Sequence, residues 1–245
     1  MNYTDKRLEN EVEHGKFLAK FGAGKIWNWE SPAGKIRWKR RVTMLISHLQ
    51  PEMRVLEIGC GTGYFTKELL KTGSNIIAID ISPDLLKLAT SHTTTDNINY
   101  IVGNAYNLSF KNDSFDSIVG SSVLHHLNVD SALVEFFRVL KPGGTLYFTE
   151  PNMLNPHIAL EKNIPYIKRK LGDSPDETAF FRWSLKKNLE SKGFKVILIK
   201  PFDFLHPWIP KALISIVQPA CTLLEKIPVV SEIAGSLYIQ AAKPE

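Results

Sequence analysis

Apolar and polar positions follow a regular alternation from about residue 42 to residue 200. Short apolar runs bounded by Gly, Asp, Asn or Pro predict buried strands, at Arg54–Ile58, Ile76–Asp80, Ile98–Val102, Asp116–Ser121 and Thr145–Thr149. Stretches of helical periodicity lie between them, at Tyr64–Thr72, Pro83–Ser91 and Ser131–Val139. Strands that alternate with helices indicate an α/β fold with a parallel sheet covered by helices on both faces.

Local signals mark the ends of these elements. Ser82 precedes Pro83, which places a capping hydroxyl and a first-turn proline at a helix start. Lys141-Pro142-Gly143-Gly144 is expected to stop the preceding helix and turn the chain into the fifth strand. Two later apolar runs, Lys195–Lys200 and Ser236–Ala242, predict an antiparallel pair of strands that closes one edge of the sheet.

Three segments lie outside the repeating pattern: residues 1–41, about 151–183 and about 201–235. Connections of this length in a compact domain usually carry function or helices of their own. We expect all three to cover a site at the carboxyl ends of the strands, where open α/β sheets bind ligands. The predicted organisation is an N-terminal helical lid, residues 1–41, followed by one domain, residues 42–245, with insertions at the other two segments.

Composition narrows the class of protein only slightly. A chain of 245 residues with 44% hydrophobic positions suits one α/β domain with a sizeable core. The net charge of +5 permits anionic partners without requiring them. The basic run Lys35–Arg41 is interpreted as the solvated face of a helix, with a binding patch as the less favoured alternative. Cys60 and Cys221 form neither a disulfide framework nor a metal motif, so no metal is expected. The polar N-terminus does not fit a signal peptide, and a cytoplasmic location is therefore expected.

A glycine loop carries the strongest chemical signal. Gly59-Cys60-Gly61-Thr62-Gly63 follows the first predicted strand and opens a helix. Its glycines allow a tight turn and bring backbone N–H groups close to a ligand, beside the positive end of the helix. The dinucleotide fingerprint would need glycine where Tyr64 stands, and the triphosphate-binding lysine motif is also missing, so neither class of nucleotide enzyme is indicated.

Asp80 ends the second predicted strand, 17 residues beyond Gly63. A carboxylate at this position can accept hydrogen bonds from both hydroxyls of an adenosine ribose. A solvent-facing turn aspartate is the alternative, which the glycine loop upstream makes the weaker one.

Further motifs follow in a fixed order along the chain. They are Glu57–Gly63, Ile79-Asp80, Gly103-Asn104-Ala105, Ser114-Phe115-Asp116, Leu124-His125-His126-Leu127 and Arg138–Gly144. With these motifs, residues 42–150 resemble the class I S-adenosylmethionine-dependent methyltransferases, especially the small-molecule group called type 11. The resemblance implies an enzyme that uses S-adenosylmethionine. It also implies a Rossmann-like, doubly wound, seven-stranded sheet, mostly parallel with an antiparallel last strand, to which the covering segments add helices.

The resemblance also implies roles for ten cofactor-binding residues. The glycine loop (Gly59, Cys60, Gly61 and Gly63) would approach the methionine part, with Glu57 holding its amino group through water and Ser121 nearby. Asp80 would take the ribose hydroxyls, while Ile81, Asn104 and Ala105 would contact the adenine. Many relatives have aspartate where this chain has Asn104, whose carbonyl oxygen can still accept from the adenine amino group.

Methyl transfer from a sulfonium is an in-line displacement in which the positive charge on sulfur is lost. Positioning contributes on the order of 7–11 kcal/mol in favourable cases, and a general base adds about 10²- to 10⁴-fold for a hydroxyl acceptor. His125, after the fourth strand, is the candidate base, with a purely structural histidine as the alternative. Glu150, after the fifth strand, would orient a substrate hydroxyl or amine, or else pair with Arg182.

Aromatic clusters and the last insertion bear on the acceptor. Phe180–Trp183 would line an acceptor pocket or belong to the core, and Trp27-Asn28-Trp29 would form part of the lid. The apolar stretch within residues 201–235 is interrupted by Pro210, Lys211 and Pro219. These interruptions make it too broken for a transmembrane helix. This segment is a core or dimer-interface element, a cap over an apolar acceptor, or an amphipathic membrane contact.

The main hypothesis is therefore a methyltransferase acting on an oxygen or nitrogen atom of a small metabolite, with glycan- and lipid-linked precursors included. An RNA methyltransferase whose Lys35–Arg41 run contacts phosphate is the first alternative, although no RNA-binding motif supports it. A non-catalytic S-adenosylmethionine-binding protein is the second. The acceptor, the atom methylated and the oligomeric state are left open by the sequence.

Overall fold

A seven-stranded sheet organises the computed structural model, which describes residues 3–26, 28–93 and 95–245. Its strands are β1 (Arg54–Ile58), β2 (Asn75–Asp80), β3 (Ile98–Val102), β4 (Phe115–Ser121), β5 (Leu140–Pro151), β6 (Lys195–Phe202) and β7 (Ser236–Ala242). The order across the sheet is β3-β2-β1-β4-β5-β7-β6. Strands β1 to β5 pair in parallel, and β7 runs antiparallel to both β5 and β6. The predicted fold class is thus confirmed, including the antiparallel last strand.

The strand order reverses between β1 and β4, which are neighbours at the middle of the sheet. From β1 the chain moves outward to β2 and β3, and it then returns to the other side for β4 and β5. Loops that leave the carboxyl ends of β1 and β4 therefore diverge and open a crevice between them. This topology places the glycine loop and the His125 segment side by side at the carboxyl ends of the central strands.

Helices cover both faces and the carboxyl edge of the sheet. They are α1 (Tyr3–Phe21), α2 (Ala23–Ile26), α3 (Pro32–Ile46), α4 (Thr66–Leu69), α5 (Pro83–His92), α6 (Val129–Val139), α7 (Pro156–Asn163), α8 (Pro165–Leu171), α9 (Arg182–Ser191), α10 (Ile214–Leu224) and α11 (Pro228–Ser231). Ser82 caps α5 as predicted, because its hydroxyl accepts the N–H of Leu85 at 3.4 Å. In the ranges that the structure covers, no helix has the length and apolar character needed to span a bilayer.

Two predicted elements differ from the observed ones. The helix expected at Tyr64–Thr72 is a single α-turn, α4, followed by a 3-10 turn that ends at Gly73 in a left-handed conformation, φ 74°. Strand β5 begins at Leu140 instead of Thr145. Helix α6 ends before the Pro-Gly-Gly sequence, as predicted. Strand β4 nevertheless pairs with β5 on both sides of that sequence, through Leu140 and Thr145. The register shifts between these two pairs, and Gly143, at φ 74°, lies within the shifted part of the strand.

Each face of the sheet has its own apolar cluster, because successive strand residues point to opposite faces. Along β1, Val55 belongs to one cluster and Leu56 to the other. On the Leu56 face, α6 buries Leu133 and Phe136. On the Val55 face, α3 buries Leu45. The predicted boundary between residues 41 and 42 falls inside α3, so the lid and the core share one continuous helix.

The three covering segments contact one another above the carboxyl edge of the sheet. Ser31 and Asn28 both donate side-chain hydrogen bonds to the carbonyl of Pro207, at 2.9 and 3.1 Å, which joins the first segment to the third. Asn10 on α1 donates to the carboxylate of Asp176 in the second segment, at 2.6 Å. Trp27, part of the predicted lid, lies outside the described residues.

Candidate functional site

A cavity of about 640 Å³ lies where the carboxyl ends of β1, β2 and β4 meet the covering segments. The glycine loop, Asp80 and Ser121 form part of its wall from the sheet side. Side chains of all three covering segments, among them Leu18, Lys162 and Trp208, also line it. The segments that fell outside the repeating sequence pattern therefore help to build the cavity.

The glycine loop contributes to the wall unequally. Gly59, Gly61 and Gly63 all have positive φ, at 65°, 53° and 78°. A Cβ atom on Gly59 would lie 2.4 Å from Val123, and one on Gly63 would lie 3.0 Å from the hydroxyl of Tyr100. A Cβ atom on Gly61 would meet no protein atom within 4 Å. Gly61 lines the cavity, so its missing side chain leaves open space that a ligand can fill.

Asp80 ties the loops after β1 and β2 together. One carboxylate oxygen accepts the N–H of Gly61 and the other accepts the N–H of Ser82, both at 2.8 Å. Burial raises the pKa of Asp80, and these two N–H donors work against that rise. Asp80 also lines the cavity, and each carboxylate oxygen has a further lone pair for a ligand hydroxyl.

Eight of the ten predicted cofactor residues line this cavity: Gly59, Cys60, Gly61, Asp80, Ile81, Asn104, Ala105 and Ser121. The side-chain oxygen of Asn104 accepts the N–H of Tyr106 at 2.9 Å, which fixes the amide at the wall. Glu57 and Gly63 do not line it. The structure thus brings most of the predicted set together, and the contact of each residue with a cofactor stays a prediction.

Glu57 is buried on β1, outside the cavity wall. Its Oε2 atom has no hydrogen-bond partner within the described part of the chain. Burial raises the pKa of Glu57 to about 8, and the charge of Asp80 adds to the rise. Burial therefore favours the neutral form of this carboxyl group.

His125 lines the cavity and is oriented by Glu150. Its Nδ1 atom lies 2.7 Å from Glu150 Oε2, and a carboxylate partner requires the proton on that nitrogen. Burial lowers the pKa of His125, and the charge of His126 lowers it further. A neutral imidazole with its proton on Nδ1 has an unprotonated Nε2, which is the form that a general base requires.

Glu150 does not have either of its predicted contacts. Its side chain is fully buried and absent from the cavity wall. Besides His125, it accepts the backbone N–H groups of Val123 and Leu124 on Oε1, at 3.0 and 2.8 Å. Arg182 pairs instead with Glu232, at 2.7 Å. The structure therefore does not place Glu150 at the cavity, where it was expected to orient a substrate: the loop after β4 uses its oxygens, and Glu150 positions His125.

The Phe180–Trp183 cluster does not line the cavity. Phe180 packs against the core, whereas Phe181 and Trp183 are exposed. The acceptor-pocket interpretation of this cluster is therefore wrong. Trp29 and Trp38, from the first covering segment, line the cavity instead.

The basic run Lys35–Arg41 lies on α3, and its three arginines form ion pairs with the third covering segment. Arg37 and Arg41 lie 2.8 and 3.5 Å from the carboxylate of Asp203, and Arg40 pairs with Glu225. Burial lowers the pKa of Arg41 to about 10. The run is therefore divided: Lys35 and Lys39 are exposed, as expected of a solvated face, whereas the three arginines attach α3 to the third covering segment.

A group of ionisable residues that the sequence analysis did not single out completes the wall: Glu11, His14, Glu161, Lys162, Asp173 and Glu177. Glu11 Oε2 lies 2.9 Å from His126 Nδ1. Burial alone would lower the pKa of His126, but the carboxylates of Glu177 and Glu11 raise it to about 9. Only the spacing of Glu11 and His14, one turn apart on a helix, was visible in the sequence.

Comparison with known proteins identifies the central part of the chain. Residues 56–148 match the family model described as a methyltransferase domain. A demethylmenaquinone methyltransferase from Renibacterium salmoninarum is 35% identical over 46% of this chain and 47% of that protein. A ubiquinone/menaquinone biosynthesis C-methyltransferase from Hydrogenovibrio crunogenus is 28% identical over 81% of this chain and 85% of that protein. The chain spans about half the length of the first of these relatives.

Two solved structures have a similar fold. The N-methyltransferase NodS from Bradyrhizobium japonicum, in complex with S-adenosyl-L-homocysteine, has a TM-score of 0.65 at 18% identity and covers 96% of this chain and 100% of its own. An S-adenosylmethionine-dependent methyltransferase from Mesorhizobium loti has a TM-score of 0.63 at 20% identity, over 84% and 97% of the two chains. At these identities the likeness shows the fold alone.

The burial of Glu57 generates a pH-dependent prediction. Its folded-state pKa of about 8 lies above the ordinary value of 4.5, so the folded state holds the proton more tightly and loses stability as pH rises between these values. Glu57→Gln is neutral at every pH. We expect the variant's gain in free energy of unfolding over the wild type to grow from pH 5.5 to pH 8, by up to about 1.4 kcal/mol per pH unit. Urea unfolding at the two pH values measures this difference, and a gap independent of pH would contradict the assignment.

Proposed function

Because residues 56–148 form a class I, S-adenosylmethionine-dependent methyltransferase domain, we propose that the chain transfers a methyl group from this cofactor to an oxygen or nitrogen atom of a small molecule. The predicted family resemblance and cofactor class are confirmed at the level of this domain. The acceptor, the atom methylated and the role of each residue belong to the proposal. A hydroxyl oxygen is the acceptor atom that the cavity favours.

The His125–Glu150 pair is the observation that carries this preference. An acceptor hydroxyl must lose its proton as its oxygen forms the new bond to carbon. His125 Nε2 takes that proton, while Glu150 stabilises the imidazolium that results. His125 is buried and lines the cavity, so the proton transfer occurs away from bulk water. Burial lowers the pKa of this imidazole and so favours the neutral form that can accept the proton.

The glycine-loop side of the cavity fits the cofactor. The open space at Gly61 accommodates the methionine part close to backbone, and Asp80 has lone pairs left for the ribose hydroxyls. Ile81, Asn104 and Ala105 line the adjoining wall, where the adenine would lie. When bound, the cofactor supplies an electrophilic methyl group on a sulfonium. The chain's own residues then orient the two reactants and accept the proton.

The third covering segment favours an acceptor with an apolar part. Trp208 lines the cavity although its side chain is 68% exposed, so it stands at the mouth. Ile216, Leu223 and Val229 leave further apolar surface on the same segment. We propose that an apolar or lipid-linked acceptor reaches the cavity past this segment. RNA is the weaker candidate, since the arginines of α3 are occupied by Asp203 and Glu225.

Methyl transfer to a ring carbon of a quinol is a second candidate. It is favoured by the relative from Hydrogenovibrio crunogenus, named as a quinone-biosynthesis C-methyltransferase and aligned over 85% of its length. His125 would then take the proton of a phenolic hydroxyl while the ring carbon is methylated. The methylated carbon then loses its own hydrogen as a proton, and the phenolic oxygen regains one, which restores the aromatic ring. Mass spectrometry of the product from a methyl-labelled cofactor separates the two candidates, because a methyl ether and a C-methyl group fragment differently.

Gly61→Ala tests the place of the cofactor. We expect the variant to fold but to bind S-adenosylmethionine at least about tenfold more weakly, because the new Cβ fills space that the protein itself leaves open. Gly143→Ala is the matched control, because Gly143 also has a positive φ, 74°, and lies outside the cavity. A Cβ atom added there would lie 3.9 Å from the nearest protein atom. Calorimetric titration measures both. Equal affinity in Gly61→Ala and the control would remove the loop from the binding site.

His125→Asn tests the base. The Asn amide can still donate to Glu150, so the loop after β4 keeps its shape while the proton acceptor is lost. We expect turnover of a hydroxyl acceptor, found by screening with labelled cofactor, to fall about 10²- to 10⁴-fold at nearly unchanged cofactor affinity. In the wild type, kcat/KM should rise with pH through a pKa below 6.5 and then level off, because the neutral imidazole is the active form. Wild-type turnover by the variant would exclude His125 as the base.

A further inference from the structure

One end of the cavity holds imidazole and carboxylate groups that the proposed methyl transfer does not use. Glu11 and His14 lie one helical turn apart on α1, His126 follows β4, and Glu177 belongs to the second covering segment. All four line the cavity, and their side chains are between 2% and 15% exposed. Three separate parts of the chain thus direct ligand-type atoms to one place.

The distances between these atoms suit a single metal ion. His126 Nδ1 lies 2.9 Å from Glu11 Oε2 and 3.6 Å from Glu177 Oε1. His14 Nδ1 lies 3.6 Å from Glu177 Oε1 and 3.9 Å from Glu11 Oε2. Bonds of about 2.0–2.2 Å to a tetrahedral ion hold its ligands roughly 3.3–3.6 Å apart. The four distances between an imidazole and a carboxylate lie within about half an ångström of that range.

His14 is the member of the group that protein contacts do not explain. It is more than nine-tenths buried, and no partner for its Nε2 atom occurs in the described part of the chain. Its Nδ1 atom points between two carboxylates that are both too distant for a hydrogen bond. A metal ion between the two carboxylates would give His14 Nδ1 a partner that no protein atom at hydrogen-bond distance supplies.

The carboxylates of Glu11 and Glu177 accept hydrogen bonds from residues outside the group, as the carboxylates that bind metals usually do. Ser174 donates its hydroxyl to Glu11 Oε1 and its backbone N–H to Glu177 Oε1, the latter at 2.7 Å. Lys162 donates to Glu177 Oε2 at 2.9 Å. Glu11 Oε2 and one lone pair of Glu177 Oε1 therefore still face the imidazoles. Outer contacts of this kind orient ligand atoms and strengthen metal binding.

The charge of the group calls for a cation. Four carboxylates, Glu11, Glu161, Asp173 and Glu177, share this end of the wall with one ammonium group, that of Lys162. A proton on His126 would partly offset the negative charge, since that imidazole lies between Glu11 and Glu177. Such a proton on His126 gives His14 no hydrogen-bond partner. A metal ion would use both imidazoles and both carboxylates at once.

We propose that Glu11, His14, His126 and Glu177 bind one divalent transition-metal ion at the acceptor end of the cavity. Mixed imidazole and carboxylate ligands suit Zn²⁺ and its first-row neighbours, and they do not suit Ca²⁺ or Mg²⁺, which prefer oxygen ligands. This proposal stands apart from the proposed methyl transfer and differs from the expectation of no metal. The sequence showed no such site because its ligands are spread over residues 11 to 177.

Metal titration of the chelator-stripped protein tests the site. We expect saturable binding of one Zn²⁺ per chain by calorimetry. Co²⁺ should give visible d–d absorption typical of a four-coordinate site, and Zn²⁺ should abolish it. His14→Gln should weaken Zn²⁺ binding at least about tenfold, as should Glu177→Gln. His48→Gln, at an exposed histidine that stacks on Tyr147 outside the cavity, is the matched control and should bind like the wild type.

Thermal unfolding without metal shows whether each variant is folded before its titration is interpreted. With metal, the melting temperature of the wild type should rise, and that of folded His14→Gln should rise less. No saturable Zn²⁺ binding by folded wild type would overturn the proposal. Binding as tight in both folded variants as in the wild type would do so too, as would loss of binding in His48→Gln alone. None of these readouts uses methyl transfer, so failure here is separate from failure of the proposed function.

Discussion

The cavity depends on hydrogen bonds from backbone N–H groups to two buried carboxylates. The donors lie in the loops after β1, β2 and β4, and the carboxylates lie at the ends of β2 and β5. Asp80, at the end of β2, accepts from Gly61 in the loop after β1 and from Ser82 in its own loop. Glu150, near the end of β5, accepts from Val123 and Leu124 in the loop after β4. Buried N–H groups need partners, so these two carboxylates fix the loops on both sides of the point where strand order reverses.

The two carboxylates leave different chemistry beside them. Asp80 stays in the wall and keeps lone pairs for a ligand, whereas Glu150 lies behind the wall and holds His125 in place. The glycine-loop side thus has free carboxylate lone pairs, and the β4 side has an imidazole oriented by a carboxylate. The covering segments close the space between them. Their mutual contacts at Pro207 and Asp176 show that they assemble as one cover, although they are distant in sequence.

Patterns within short stretches predicted the strands and the glycine-loop side well. Strands β1 to β4 begin and end within one residue of their predicted bounds, because apolar runs with clear polar boundaries define them. The start of β5 was missed, since Pro-Gly-Gly is typical of a turn and only pairing with β4 makes it part of a strand. The partners of Glu150 and the Glu11–His14–His126–Glu177 group could not be predicted. They arise from contacts between segments that no local pattern links.

Titration of the purified protein with S-adenosylmethionine and S-adenosylhomocysteine tests the central claim most directly. The account predicts saturable one-to-one binding of both, weakened in folded Asp80→Ala by about 1–3 kcal/mol through loss of charge-assisted hydrogen bonds. That result would place the cofactor where the loops after β1 and β2 meet. A folded wild-type protein that binds neither compound, or a folded Asp80→Ala variant that binds them as tightly as the wild type, would contradict it.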